Sequence, residues 1–151
     1  MTPNIFFASD DVSFQWQDER LVINWLNQIV KAENAEIASL SYVFCSDPKL
    51  LGINKQYLNH DYFTDVITFD LSDSSEIEGE IYISLDRISA HAEEYDISFE
   101  EELCRVLAHG LLHLLGYNDK TEEQKQEMRD KESVCLSLLP EVPRGTLTQK
   151  E

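Results

Sequence analysis

The chain has 151 residues, of which 42% are hydrophobic, enough for one well-packed domain and too few for two. Its 29 acidic and 12 basic residues give a net charge of −17 at pH 7, which argues against a loose nucleic-acid coat protein, whose binding rests on Lys and Arg. A secretory signal, a run of about 18 apolar residues and a disulfide framework are also missing, so we expect a soluble, cytoplasmic protein.

Hydrophobic spacing predicts four elements in the first part of the chain. They are a strand at 4–8, a helix at 18–32, a strand at 36–45 and a helix at 48–58. The first helix carries apolar residues three and four apart, which is typical of a helix that covers a sheet. The second is predicted from Asp47 followed by Pro48, because an aspartate can cap a helix whose first turn tolerates proline.

Two strands and three helices are predicted in the rest of the chain. The strands cover 64–70 and 79–84, and the helices cover 85–95, 98–115 and 121–139. Ser98 with Glu101 and Thr121 with Gln124 have the spacing of a capping box at the start of the last two helices.

Together these elements predict an α+β domain with a small mixed four-stranded sheet flanked by about five helices. The helix that ends at Leu115 is apolar on nearly every face from Leu103 onwards, so we expect it to run through the centre of the domain. We place this single domain at 1–139 and expect 140–151 to be a flexible tail.

The sequence HGLLHLLGYND at 109–119 is a candidate metal site at the end of the central helix. His109 and His113 are four residues apart, so their imidazoles lie on one helix face and can converge on one ion. Gly116 lets the chain turn back, and Asp119 can then supply a third ligand. Three protein ligands with a fourth position left for water or substrate are typical of catalytic zinc.

Other interpretations of these residues stay open. Two histidines on an apolar helix can be core residues, although Gly110 indicates that another part of the chain comes close there, since glycine within a helix costs roughly 1 kcal/mol relative to alanine. The intervals match the metzincin peptidase pattern HExxHxxGxxH, but Gly110 replaces the glutamate that acts as general base. Two histidines and one carboxylate also form the facial triad of non-haem iron sites.

The motif also resembles the HGxLHLxGYDH signature of the YbeY family of metal-dependent endoribonucleases, bacterial proteins implicated in ribosomal RNA maturation and ribosome quality control. INKQYLNHDYFTDVITFD at 53–70 is similar to the family segment LNxxYRxKDxPTDVLSFP, and GEIYIS at 79–84 is similar to its G[DE]I strand. The residues in register with the longer segment are Asn54, Tyr57, Asp61, Thr64, Asp65, Val66 and Phe69. The resemblance covers roughly residues 40 to 132.

This resemblance implies a function as well as a site. His109 and His113 are expected to be metal ligands, and Asp119 stands at the position of the family's third histidine. The implied fold is zincin-like, and the implied cofactor is one divalent metal ion, expected to be zinc. The implied activity is that of a single-strand-type endoribonuclease that hydrolyses RNA phosphodiesters. Its implied partners are ribosomal RNA and the small ribosomal subunit, with no DNA and no membrane.

One substitution puts the catalytic part of this expectation in question. Leu58 stands where the family has the arginine of its YR pair, and losing such a cation typically costs about 10²-fold to 10³-fold in rate. Lys55 and His60 are the nearest replacements in sequence. Three further residues are candidates for substrate contact without an assigned role: Thr64, Asp65 and Glu80. The alternative function is a non-catalytic, metal-containing ribosome-assembly factor, which the net charge also favours.

Overall fold

A mixed sheet of four strands forms the frame of the structure, a computed structural model that describes residues 4–60, 64–72 and 76–148. The elements are β1 (Ile5–Ser9), β2 (Ser13–Trp16), α1 (Glu19–Ala32), β3 (Ile37–Cys45), α2 (Asp47–Leu58), β4 (Val66–Asp70), β5 (Ile77–Ser84), α3 (Leu85–Tyr95), α4 (Phe99–Leu114), α5 (Glu122–Ser137) and β6 (Gly145–Thr148). The sheet order is β1-β3-β5-β4, with β4 antiparallel to β5 at one edge and the other pairs parallel. The predicted α+β class and mixed four-stranded sheet are thus confirmed. No helix within the described ranges is long and apolar enough to cross a membrane.

The helix α4 is the centre of the fold, as its apolar sequence predicts. Nine of its 16 residues are buried, and it packs against β4, β5, α3 and α5. It begins where expected, since the Ser98 hydroxyl accepts a hydrogen bond from the Glu101 N–H at 3.1 Å. A Cβ atom at Gly110 would lie 2.9 Å from Cδ1 of Ile81 in β5. Glycine therefore lets α4 lie close to the sheet, which explains its place inside a helix.

The start of α2 differs from the prediction by one residue. Its N-cap is Ser46, whose hydroxyl accepts from the Lys49 N–H at 3.3 Å, so the expectation that Asp47 caps this helix is wrong. Asp47 lies in the first turn, and its carboxylate accepts from Arg87 Nε at 3.1 Å. Serine and aspartate are both good caps, and Pro48 fits the first or second helical position, so the sequence alone does not separate the two.

A second, two-stranded sheet was not predicted. β2 pairs antiparallel with β6, so the expected flexible tail at 140–151 is wrong for residues 145–148. Residues 149–151 lie outside the described residues. Each of these strands has only four residues, too few for a clear alternation, and the partners are far apart along the chain.

Candidate metal centre

The end of α4 brings the three predicted metal ligands together. His109 and His113 lie on its last turns, and Asp119 follows after Gly116, whose φ of +106° reverses the chain. The Nε2 atoms of the two histidines are 3.1 Å apart, and each lies 3.4 Å from Oδ2 of Asp119. Ligand atoms about 2.0–2.1 Å from one tetrahedral ion are separated by about 3.3 Å. The three donors therefore have the spacing of a single metal site.

The other ring nitrogens of both histidines are held by acceptors. His109 Nδ1–H donates to Oε2 of Glu132 at 2.6 Å, and His113 Nδ1–H donates to the carbonyl oxygen of Tyr117 at 3.0 Å. A carbonyl can only accept, so the proton of neutral His113 is on Nδ1 and its Nε2 carries a lone pair. The same tautomer follows for His109. Two lone pairs and the Asp119 carboxylate thus face one another, and a cation between them would remove their repulsion.

Glu132 is anchored by Arg105 in a buried ionic cluster. Arg105 Nη1 donates to Oε1 of Glu132 at 2.9 Å, and its Nε donates to Oε1 of Glu102 at 2.9 Å. Both glutamates are almost fully buried. Burial by itself raises the pKa of Glu132, but the hydrogen bonds from His109 and Arg105 outweigh it and hold the pKa below its usual value. Glu132 is therefore an ionised acceptor for the His109 ring.

An open cleft of about 580 Å³, here called the metal cleft, contains the three donors. It is lined by Asn54, Leu58, His60, Thr64, Asp65, Val66, Ile67, Thr68, Asp70, His109, His113, Leu114 and Asp119. Among these described lining residues there are three aspartates and neither a lysine nor an arginine. A phosphate that enters this cleft therefore meets carboxylates unless a metal ion reverses the local charge.

The remaining candidates from the sequence are distributed unevenly. Leu58, at the position of the family arginine, lines the metal cleft and is 41% exposed. His60, Thr64 and Asp65 line the same cleft. Glu80 instead lines a second cleft, where its carboxylate accepts from the Tyr82 hydroxyl at 2.9 Å. Lys55 lies within α2, and Asp61 lies outside the described residues.

Sequence reasoning missed the cluster behind the histidines. Glu132 lies between Met128 and Cys135 on the buried face of α5. Glu132 is four residues after Met128 and three before Cys135, so it lies on the same helix face as these apolar residues. A glutamate on an apolar helix face indicates a buried carboxylate with a charged or hydrogen-bonding partner. Glu102 gives a similar signal beside Leu103 and Cys104 in α4. These positions mark buried charges, but their partners follow only from how α5 packs on α4.

Comparisons with known proteins agree along most of the chain. The family model described as Endoribonuclease YbeY matches residues 4–139. A protein of Cytophaga hutchinsonii named Endoribonuclease YbeY is 49% identical over 135 residues, which are 89% of this chain and 94% of the relative. Its namesake in Amoebophilus asiaticus is 45% identical over 134 residues, which are 88% and 91% of the two chains. The solution structure of TM1509 from Thermotoga maritima matches with a TM-score of 0.63 and 28% identity, over 88% of this chain and 87% of that one.

Proposed function

The chain belongs to the YbeY family of endoribonucleases, and we propose that it hydrolyses phosphodiester bonds in single-stranded regions of ribosomal RNA during maturation and ribosome quality control. The observation that carries this proposal is the convergence of His109, His113 and Asp119 in the metal cleft. The relatives are named for the reaction, and the cleft supplies a place where a metal ion and an RNA strand could meet. The cytoplasm and the small ribosomal subunit are the proposed setting.

The donor set fits one divalent metal ion, which we propose to be zinc. Two neutral imidazoles and one carboxylate are ligands that zinc takes in tetrahedral sites with one position left open. The hydrogen bonds to Glu132 and to the Tyr117 carbonyl fix both rings with Nε2 towards Asp119. When bound, such an ion polarises a phosphoryl oxygen and lowers the pKa of a water molecule towards about 7.

The residues of the chain hold and orient the reacting groups. The side chains of His109 and His113 are largely enclosed, and the Nε2 atom of each lies 3.4 Å from Oδ2 of Asp119, a spacing that suits one shared ion. Because the described lining of the metal cleft has no lysine or arginine, attraction of the scissile phosphate depends on the ion. Removal of the metal should therefore weaken both RNA binding at this cleft and turnover.

A peptidase is not favoured, and Gly110 gives the structural reason. A side chain at this position would point at Ile81, which is fully buried in the core. The general base of metzincin peptidases follows the first histidine of their motif. In this chain that position is a glycine packed against Ile81, so the carboxylate that would act as general base is absent.

The second candidate function is a metal-containing ribosome-assembly factor that does not cut RNA. The exposed Leu58 in the metal cleft favours it, because an apolar side chain there cannot stabilise a developing negative charge. In such a factor the metal would stabilise the fold, and association with the ribosome would continue without turnover.

One set of measurements tests the proposal. Natively purified wild-type protein is expected to contain about one divalent ion per chain by elemental analysis and to cleave fragments of ribosomal RNA. His113→Ala should lose both the ion and cleavage. The control Tyr95→Ala removes an exposed ring at the end of α3, outside the group of three donors, and should keep the ion.

The outcomes separate the candidates. Wild-type protein without a divalent ion would overturn the metal site and both functions built on it. A bound ion, with ribosome association but no cleavage in metal-restored assays, would replace the nuclease with the assembly factor. Cleavage that survives in His113→Ala protein after metal removal would reject the proposed role of the ion.

A further inference from the structure

A second cleft, here called the aromatic cleft, lies between α2 and the β4–β5 pair. Its volume is about 420 Å³. Its lining includes Asp10, Lys49, Tyr57, Phe69, Glu80 and Tyr82. None of these residues is a proposed metal ligand, and the function proposed above leaves the cleft without a role.

Three aromatic rings form a row in this cleft. The rings of Tyr57 and Phe69 are 6.0 Å apart with planes at 80°, and those of Phe69 and Tyr82 are 5.8 Å apart with planes at 88°. Edge-to-face contacts of this kind fix the orientation of each ring. Tyr57 is nevertheless 63% exposed, so a large part of a fixed aromatic ring is open to a ligand.

Residues that are adjacent in the sequence line the aromatic cleft and the metal cleft. In α2, Tyr57 lines the aromatic cleft and the next residue, Leu58, lines the metal cleft. In β4, Phe69 lines the aromatic cleft, while Thr68 and Asp70 line the metal cleft. Because successive side chains point to opposite faces of a strand, Phe69 lies on one side of β4, and Thr68 and Asp70 lie on the other. The two clefts therefore lie on either side of this edge strand, and an RNA strand that passes over the edge could reach both.

We propose that the aromatic cleft binds an unpaired nucleobase of the RNA strand whose backbone enters the metal cleft. This inference rests on the proposed function and adds a binding site for one base of the substrate. The base would stack on Tyr57, and stacking on aromatic rings is available only to bases that are not paired in a duplex. The cleft thus selects single-stranded RNA and places the strand relative to the metal.

The charges of the two clefts favour a base over a phosphate. Among the described residues that line them, Lys49 is the only lysine or arginine, and its Nζ lies 3.5 Å from Oδ2 of Asp10. Glu80 and Asp10 would repel a phosphate in the aromatic cleft. A carboxylate such as that of Glu80 can, however, accept hydrogen bonds from the amino groups of a base.

Stacking also explains how so acidic a protein could bind RNA. Binding through phosphates depends on lysine and arginine, and a chain with a net charge of −17 offers few such contacts. The free energy of stacking does not depend on the net charge of the protein and changes little with salt concentration. We therefore expect affinity that depends on the base and only weakly on ionic strength.

The test uses the metal-loaded full chain and a fluorescent single-stranded DNA octamer, which presents bases and phosphates but is not the substrate of an endoribonuclease. Tyr57→Ala should weaken binding roughly 10-fold, while Tyr57→Phe should stay within about twofold of wild type because the ring remains. Tyr95→Ala is the matched control, since Tyr95 is also exposed, at 57%, and lies at the end of α3. Equal losses in Tyr57→Ala and Tyr95→Ala would overturn the proposal.

Two further measurements use the same octamer. An abasic site scanned along it should weaken wild-type binding at one position, and this effect should vanish in Tyr57→Ala protein. The logarithm of the association constant should fall with the logarithm of the salt concentration with a slope smaller in magnitude than about 2. Each lysine that contacts a phosphate of a single strand contributes about 0.7 to this slope, and the clefts offer one lysine. A steeper slope, or no position at which the base matters, would overturn the proposal.

These readouts are independent of turnover. Base-dependent binding without cleavage of RNA would reject the proposed nuclease but keep the aromatic site. Cleavage of RNA without base-dependent binding would reject the aromatic site alone.

Discussion

His109 Nδ1–H donates to Oε2 of Glu132 at 2.6 Å, across the interface of α4 and α5. The other oxygen, Oε1, accepts from Arg105 at 2.9 Å, so both oxygens of this carboxylate are hydrogen-bonded. The orientation of the His109 ring, one of the proposed metal ligands, is therefore set by a residue on a different helix. Outer partners of this kind fix the tautomer and raise the basicity of the ligand.

We expect Glu132→Gln to weaken zinc binding about 10-fold to 100-fold, because the neutral amide keeps the size of the side chain but loses the charge that pairs with His109 and Arg105. Competition with a chromogenic chelator measures this affinity. Glu127→Gln is the control, since Glu127 is exposed on the same helix. Equal affinity in both variants would show that Glu132 does not act on the metal site.

Leu58→Arg should raise the rate of RNA cleavage by about 10-fold or more under single-turnover conditions. An arginine there adds a cation to a cleft whose described lining has none from lysine or arginine, and such donors typically change rates by about 10²-fold to 10³-fold. Leu58→Gln is the matched neutral variant. If both variants cleave at the same rate, the missing charge at Leu58 does not limit the reaction.

Gly110→Ala should reduce the free energy of unfolding by about 1 kcal/mol. The added Cβ would lie 2.9 Å from Cδ1 of Ile81, and overpacking of a core costs about 1–3 kcal/mol, while the gain in helix propensity returns about 1 kcal/mol. Urea unfolding measures the change. Adding Ile81→Val removes the crowded Cδ1 atom and should recover part of the loss relative to Ile81→Val alone. Additive losses would show that Ile81 is not the cause.

The three cysteines should be inert in the folded protein at pH 8. Burial raises the pKa of Cys45 and Cys104 to about 12 and that of Cys135 to about 11. Because the thiolate reacts and its fraction grows with pH, these thiols should stay slow until the pH is far above 8. Titration with a chromogenic disulfide is expected to detect three thiols in denaturant and none in native protein. Ser133→Cys, at an exposed site of α5, should add one fast thiol. Rapid native labelling without that substitution would contradict the prediction.

Much of the fold was predictable where one segment carries its own signal. The capping box of Thr121 and Gln124 is present at the start of α5, and Ser98 caps α4. The ligand spacing of His109 and His113 is a property of one helix, so the structure brings them together as expected.

Features that join distant segments were not predictable in the same way. The contact of Glu132 with His109 depends on how α5 docks, and the row from Tyr57 to Tyr82 joins a helix to two strands. Hydrophobic periodicity indicates which face of an element is buried, but not which element it meets. For Leu58, the resemblance to the family indicated that an arginine is missing at this position. Only the fold shows that the leucine side chain is exposed.

The pairing of β2 with β6 has a consequence for the order of folding. Phe14 faces Leu147 across this ladder, so the chain must close a loop of more than 100 residues to form four residue pairs. The length-dependent part of that closure costs about 4 kcal/mol of entropy in an unstructured chain. This cost falls once the central sheet has formed, because the chain left to be closed is then much shorter. We therefore expect the β2–β6 ladder to assemble last and to show the fastest amide hydrogen exchange of the strands.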